Sequence, residues 1–318
     1  TIGGWPGYAP TPLVALPGLA AELGVAALHY KDEGGRFGLG SFKALGGAYA
    51  VARLLQAELS KALGRAVSMD EVTGRAYPDQ AARITVCCAT DGNHGRSVAW
   101  GAQNFGCNCV IFIHATVSEG RKTAIEAYGA EVRRCAGNYD DSVREAQETA
   151  TREGWFVVSD TSYPGYMDIP KDVMQGYEVM AAEAFDALDE APTHVFLQTG
   201  VGGMAAAVTA QAVRRWGAGR PKIVLCDPDQ SACWLDSIRA GRPTAVEGDL
   251  DTLMAGLACG EVSALAWEIL HDHADAVMAL TDVAAVAEMR RLARPVAGDP
   301  AIVAGESAVA GLAGLTAA

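Results

Sequence analysis

The sequence predicts an α/β protein of two domains, built from mostly parallel sheets flanked by helices. Three observations carry that expectation. Short apolar, β-branched runs alternate with stretches whose apolar residues recur every three or four positions. The strand-like runs are nearly continuous in apolar character, as strands covered on both faces must be. Two glycine-containing loops each stand where such a run ends and a helical pattern begins, the arrangement of βαβ units.

Taken in order, the first helical element is GLGSFKALGGAYAVARLL, residues 38–55, with Ser41 as its expected N-cap and Lys43 near its start. The strand ITVCCA (84–89) then runs into the loop TDGNHG (90–95) and the helical RSVAWGAQNFG. Strands follow at CVIFI (109–113), EVRRC (131–135), WFVVS (155–159), THVFLQ (193–198) and KIVLCD (222–227). Between them the helical patterns are SEGRKTAIEAYG, YDDSVREAQETATREG, PKDVMQGYEVMAAEAF and MAAAVTAQAVRRWG. The second loop, TGVGG (199–203), follows the 193–198 strand and precedes the helix that starts near Met204. No short-period repeat or low-complexity tract interrupts the pattern.

Length and charge narrow the function classes. The 318 residues suffice for two domains or one large α/β unit, and half of them are apolar. A net charge of −13 argues against nucleic acid or an anionic membrane as partner, because both need basic surface. No apolar run approaches the ~18–20 residues of a membrane span, and no signal peptide is visible. The chain opens at Thr1 without Met, which reads as a trimmed start, and the expectation is a soluble, cytoplasmic protein. Its eight cysteines form no CxxC pair and several lie in strand-like runs, so buried thiols in a reducing compartment are expected. No Cys/His cluster suggests zinc, and no metal is expected.

Each loop poses a chemical question. A strand-to-helix loop presents backbone N–H groups, and the helix dipole adds roughly half a positive charge, so it suits an anion. TDGNHG nevertheless places the carboxylate of Asp91 at its tip. In the other loop, GVGGMA resembles a GxGxxA dinucleotide fingerprint, and Asp227 lies near enough to keep a ribose-binding acid possible in principle. That motif comes late in the chain, after several βα units, so a single phosphate cradled by the amides of 200–204 is the better reading, and a bare glycine turn is the alternative. Lys43, flanked by Phe42, Ala44 and Leu45, lacks the charged neighbours of a solvated face. Burial lowers a lysine's pKa, and the neutral amine is the form that builds a Schiff base, although an exposed helix lysine is the ordinary reading of this residue alone. An amine nucleophile, a phosphate cradle and an asparagine loop are together the parts needed to hold pyridoxal phosphate.

In this order the motifs resemble the tryptophan-synthase-β-like (fold type II) pyridoxal-phosphate enzymes, which include threonine dehydratases and cysteine synthases. The nearer resemblance is to the diaminopropionate ammonia-lyases, through KDEGGRFGLGSFKALGGAYA (31–50), TDGNHGRSVAWGAQ (90–103), DTSYPGYMDIP (160–170), PTHVFLQTGVGGMA (192–205), MAGLACGE (254–261) and GDPAIVAGESAVAGL (298–312). It covers almost the whole chain. The resemblance implies that Lys43 is the Schiff-base lysine and that Asn93 bonds the cofactor's ring hydroxyl. It implies further that Gly200, Val201, Gly202, Gly203 and Met204 hold the phosphate, and that Ser307 faces the pyridine nitrogen. The family often has glycine after that serine, where this chain has Ala308.

The resemblance also answers the question at Asp91. Dehydratases and cysteine synthases typically carry an uncharged residue there, since the loop receives the substrate's carboxylate. 2,3-Diaminopropionate brings a second amino group, which an acid can usefully meet. Asp91 is then implied as a second catalytic acid/base opposite Lys43, each serving one enantiomer, with Asp160 facing the same site; a turn or helix cap is the alternative for Asp160. His94 reads as a loop-ordering residue rather than the base. Cys233 and Cys259 match a cysteine pair near the site in relatives, which leaves a regulatory disulfide open.

The expected activity is pyridoxal-phosphate-dependent α,β-elimination of D- and L-2,3-diaminopropionate to pyruvate and two ammonia, by a carbon–nitrogen lyase. The alternative is a threonine/serine dehydratase-like lyase that shares every cofactor residue. Beyond these stand a dinucleotide-dependent oxidoreductase and a cofactor-binding protein without catalysis. Residues 1–47 plus 170–318 are expected to form the large domain with the phosphate loop, and 48–169 the small domain with the asparagine loop. The cofactor is expected between them, with closure on an amino-acid substrate. The family is commonly dimeric, so a homodimer is expected.

Overall fold

The computed structural model describes residues 1–90 and 92–318, Asp140 by its backbone only. The described chain forms two compact units, one of Thr1–Ala9 and Arg36–Val179, the other of Pro10–Gly35 and Met180–Ala318. Near the start of the second unit, β1 (Leu13–Ala15) pairs antiparallel with β2 (His29–Lys31).

The first unit is built on a four-stranded parallel sheet of β3 (Thr85–Ala89), β4 (Asn108–Ile113), β5 (Glu131–Arg134) and β6 (Phe156–Val157), in the order β5-β4-β3-β6. Val86, Cys87 and Cys88 are successive and all buried, so both faces of β3 are covered. On one face Cys87, Val110 and Phe112 pack with Ala146 and Ala150 of the Tyr139–Glu153 helix. That helix starts with a capping box, in which Asn138 and Asp141 exchange side-chain and backbone hydrogen bonds.

Residues 36–47 and 170–179 belong to this unit because small residues let helix backbones touch. A Cβ on Gly46 would lie 2.3 Å from the ring of Tyr177, and one on Gly176 would lie 2.2 Å from the carbonyl oxygen of Leu45. The Lys43–Leu63 helix therefore lies directly against the Asp168–Asp186 helix. On another side it meets the Asn93–Phe105 helix, where a Cβ on Gly101 would lie 2.7 Å from Cα of Ala48.

The second unit has a three-stranded parallel sheet of β7 (His194–Gln198), β8 (Lys222–Pro228) and β9 (Ala276–Leu280), with β8 central. From Ile223 to Pro228 every residue of β8 is buried, as a central strand covered on both faces requires. Val224 and Cys226 pack with Leu16, Leu19, Leu280 and Leu312 in its core. All six expected strands are present within two residues of their expected ends; β1 and β2, of three residues each, and β9 (Ala276–Leu280) are not among them. Among the described residues no helix is long and apolar enough to cross a membrane.

Candidate active site

Lys43 is the first residue of its helix. Ser41 is not the N-cap, since that place falls to Phe42, which makes no capping bond with its side chain. The Ser41 hydroxyl still accepts from the Lys43 amide at 3.2 Å. The ammonium of Lys43 donates to Asp160 Oδ2 at 2.5 Å and stands 5.5 and 5.7 Å from the ring centroids of Phe42 and Tyr177. Both side chains of the ion pair are 21% exposed, so the pair is largely shielded from water. Burial works against the charge on Asp160, but Lys43 and then His94 outweigh it and hold this carboxyl below the usual range.

Local bonds fix where Asp160 stands. It follows β6 in a loop fastened by Tyr166, whose hydroxyl donates to Val157 O at 2.8 Å and accepts from Ser159 N–H at 3.0 Å. His94 Nε2 donates to Val158 O at 2.8 Å, which leaves Nδ1 as the lone-pair nitrogen. That atom is buried, has no hydrogen-bond partner among the described residues, and lies 3.9 Å from Asp160 Oδ2. Burial lowers the His94 pKa, so the ring is neutral and serves to tie the asparagine loop to the end of β6. Asn93 is exposed at the first position of its helix. The loop before it is braced by Thr90, whose hydroxyl accepts from the amides of Gly92 and Gly95 at 3.1 and 3.3 Å. Asp91 lies outside the described residues.

The second unit carries the glycine loop. The Gly203–Trp216 helix begins after Gly202, which has φ of +96° and gives no side-chain cap, so its first-turn amides are available to an anion. Two close approaches exclude side chains here. A Cβ on Gly202 would lie 2.3 Å from the Trp234 ring, and one on Gly200 would lie 3.1 Å from Cys259 Sγ and 3.2 Å from Cα of Leu257. Ser307 Oγ accepts from the Gly256 amide at 3.1 Å, which keeps its own proton for donation. Gly200 and Ser307 thus pack against the same short segment, 256–257. Val201 and Met204 continue the loop, with Met204 buried in the first turn of the helix.

Taken one at a time, these groups suit parts of pyridoxal phosphate. In the first unit the Lys43 amine, once it gives up its proton, suits an aldehyde; in the second, an uncapped glycine-led helix start suits a phosphate, and a serine that keeps its proton for donation suits a ring nitrogen. Asp227 does not fit a dinucleotide. It is fully buried, out of reach of a ribose hydroxyl, and its oxygens already accept from Thr199 Oγ1 and from the amides of Trp234 and Leu235.

Three neighbours have no clear signal in a single sequence. Tyr177 is buried beside Lys43, and burial raises its pKa, against the influence of Lys43, so that it stays a phenol. Ser97 reaches the backbone of Lys43, and Trp234 lies against Gly202. The spaced glycines Gly46, Gly47, Gly101 and Gly176 do signal close helix contact, but not which side chains that contact delivers. All eight cysteines are thiols, and six of them are buried. Cys233 Sγ lies 3.6 Å from the Gly200 carbonyl oxygen. Among the described residues no group of His, Cys, Asp and Glu is arranged to hold a metal ion.

Against known proteins, residues 5–318 match the family described as pyridoxal-phosphate dependent enzyme. The chain is 42% identical over 314 residues to the diaminopropionate ammonia-lyase of Escherichia coli (strain K12), spanning 98% of this chain and 78% of that protein. The crystal structure of the Escherichia coli diaminopropionate ammonia lyase in complex with D-serine is similar to it with a TM-score of 0.89 at 40% identity, over 98% of this chain and 78% of that one. The complex of the same enzyme with an aminoacrylate-PLP azomethine reaction intermediate gives 0.87 at 40% identity, over 98% and 77%.

Proposed function

The chain belongs to the pyridoxal-phosphate-dependent enzymes, and on that premise we propose that it eliminates ammonia from 2,3-diaminopropionate, D and L, yielding pyruvate and a second ammonia. One water is consumed, which balances the reaction. The enzyme is a carbon–nitrogen lyase. The observation that carries the reading is the Lys43 amine held by the ionised Asp160. That pair comes with a similarity to diaminopropionate ammonia-lyase over 98% of the chain.

Lys43 would hold the cofactor's aldehyde carbon, Asn93 its ring hydroxyl, Ser307 its ring nitrogen, and Gly200, Val201, Gly202, Gly203 and Met204 its phosphate. When bound, pyridoxal phosphate supplies an electron sink for the charge left at Cα. The remaining work belongs to side chains. Lys43 takes the Cα proton of one enantiomer and Asp91 that of the other. The β carbon–nitrogen bond then breaks, and the departing amine leaves with a proton. Asp160 remains anionic and holds a cation, either the Lys43 ammonium or a substrate ammonium in its place. A hydroxyl leaving group has no such need of a fixed anion, which is why diaminopropionate is favoured over serine or threonine.

Pyruvate formation from D- and L-2,3-diaminopropionate, with serine and threonine in parallel, tests the assignment. Faster turnover of serine or threonine would place the chain with the dehydratases instead. We further place the enzyme in the cytoplasm as a homodimer, on the family resemblance; sedimentation of the purified protein as a monomer would overturn the latter.

A further inference from the structure

We propose that Trp234, anchored by Asp227, is a positioning residue that aims the amides of the 199–203 loop at the cofactor's phosphate. The proposal rests on the pyridoxal-phosphate reading above and gives a role to the acid that a dinucleotide fingerprint would have claimed.

In a trans peptide the carbonyl of one residue and the N–H of the next point in opposite directions. Whatever grips a carbonyl therefore also aims the following amide. The indole Nε1–H of Trp234 donates to the Gly200 carbonyl oxygen at 3.0 Å, so the Val201 amide is turned away from Trp234. The Ser263 amide donates to the Val201 carbonyl oxygen at 2.9 Å, which turns the Gly202 amide away in the same manner. Two successive carbonyls are thus held from behind, just ahead of a helix start with no side-chain cap. The Trp234 ring also occupies the space that a side chain on Gly202 would need.

Asp227 holds Trp234 in place. One carboxylate oxygen accepts from the Trp234 and Leu235 amides at 3.0 and 3.1 Å, and the other accepts from the Thr199 hydroxyl at the head of the loop. Thr199, Asp227 and Trp234 are all fully buried, so water cannot substitute for these bonds. The indole is further confined by Trp267, whose ring is stacked at 6.0 Å between centroids. None of these side chains needs to touch the phosphate. Their effect is to supply it with amides already aimed.

The test uses the full chain, freed of cofactor and titrated with pyridoxal phosphate and, separately, with pyridoxal, which has the aldehyde and ring but no phosphate. Visible absorbance gives the two dissociation constants. Trp234→Phe keeps the ring beside Gly202 but removes the indole donor, and it is expected to weaken pyridoxal phosphate about five- to tenfold, the effect of one hydrogen bond. Pyridoxal should change less than twofold. Thr199→Val, which leaves Trp234 untouched, should shift the same ratio in the same direction. Equal weakening of both compounds, or no weakening of either, in the two variants overturns the positioning role alone. Wild-type protein that takes up neither compound overturns the cofactor reading and this proposal together.

Discussion

Ser97 Oγ donates to the carbonyl oxygen of Lys43 at 2.6 Å and accepts from the Ala48 amide at 3.1 Å. One hydroxyl on the Asn93–Phe105 helix thus pins the first two turns of the helix that begins with Lys43. Ser97 is fully buried, so its removal leaves both backbone groups without a substitute from solvent. Ser97→Ala is expected to cost about 1–2 kcal/mol in urea unfolding, one to two buried hydrogen bonds. A midpoint identical to wild type would show that the bridge contributes nothing.

Gly176 tests the helix contact directly. A methyl added there meets the Leu45 carbonyl oxygen at 2.2 Å, a backbone atom that cannot swing aside. Gly176→Ala should therefore destabilise by about 1–3 kcal/mol. Gly120, in the Glu119–Glu126 helix, has open space around it, and Gly120→Ala should be neutral or stabilising by about 0.5–1 kcal/mol. The two melting curves, run side by side, separate contact from helix propensity.

The Lys43–Asp160 pair makes a prediction with a definite sign. The folded-state pKa of Asp160 lies below that of the unfolded chain, so its stabilisation is present above about pH 4 and is lost as pH falls through the folded value. In Lys43→Ala the largest favourable influence on Asp160 is gone while its burial remains, so its pKa rises. That variant should lose about 2–3 kcal/mol near neutral pH, with a smaller difference from wild type in acid. It should also show no visible absorption after reconstitution with pyridoxal phosphate. Retained absorption would mean that another lysine carries the cofactor.

The role proposed for Asp91, as base for one enantiomer, makes its substitution enantiomer-selective. Asp91→Asn should lower turnover of one diaminopropionate enantiomer by about a hundredfold or more, the usual contribution of a positioned base. The other enantiomer should be affected far less. Parallel losses on both would contradict the two-face assignment.

Asp227 predicts the opposite pH behaviour to Asp160. Burial pushes its carboxyl up to about 7, against the hydrogen bonds from Thr199 and from the Leu235 and Trp234 amides, with nearby Asp236 adding to the rise. A raised folded-state pKa contributes stability that is complete below the unfolded value near 4 and disappears as pH climbs through about 7. Wild-type protein should accordingly lose stability between those limits, and Asp227→Asn should flatten that part of the profile. Denaturant midpoints at pH 5 and pH 8 give the comparison, and parallel wild-type and variant profiles would remove Asp227 as their cause.

Much was legible in the residues alone. Continuous apolar runs such as ITVCCA and KIVLCD can be satisfied only by strands covered on both faces, and the glycines at 200, 202 and 203 ahead of a helix suit an anion wherever they occur. The order of the lysine, asparagine-loop and glycine-loop motifs identified the family, because each motif is local and its chemistry does not depend on distant neighbours. Tertiary structure decided what lies behind those motifs. Asp160 sits 117 positions from Lys43, and Asp227 sits 28 positions from Thr199, so only the folded chain shows that each is its partner. The neutral state of His94, the buried phenol of Tyr177 beside Lys43 and the grip of Trp234 on Gly200 likewise arise from burial and approach. Those are properties of packed surfaces made by separate elements, and a linear pattern records the elements without recording which of their faces meet.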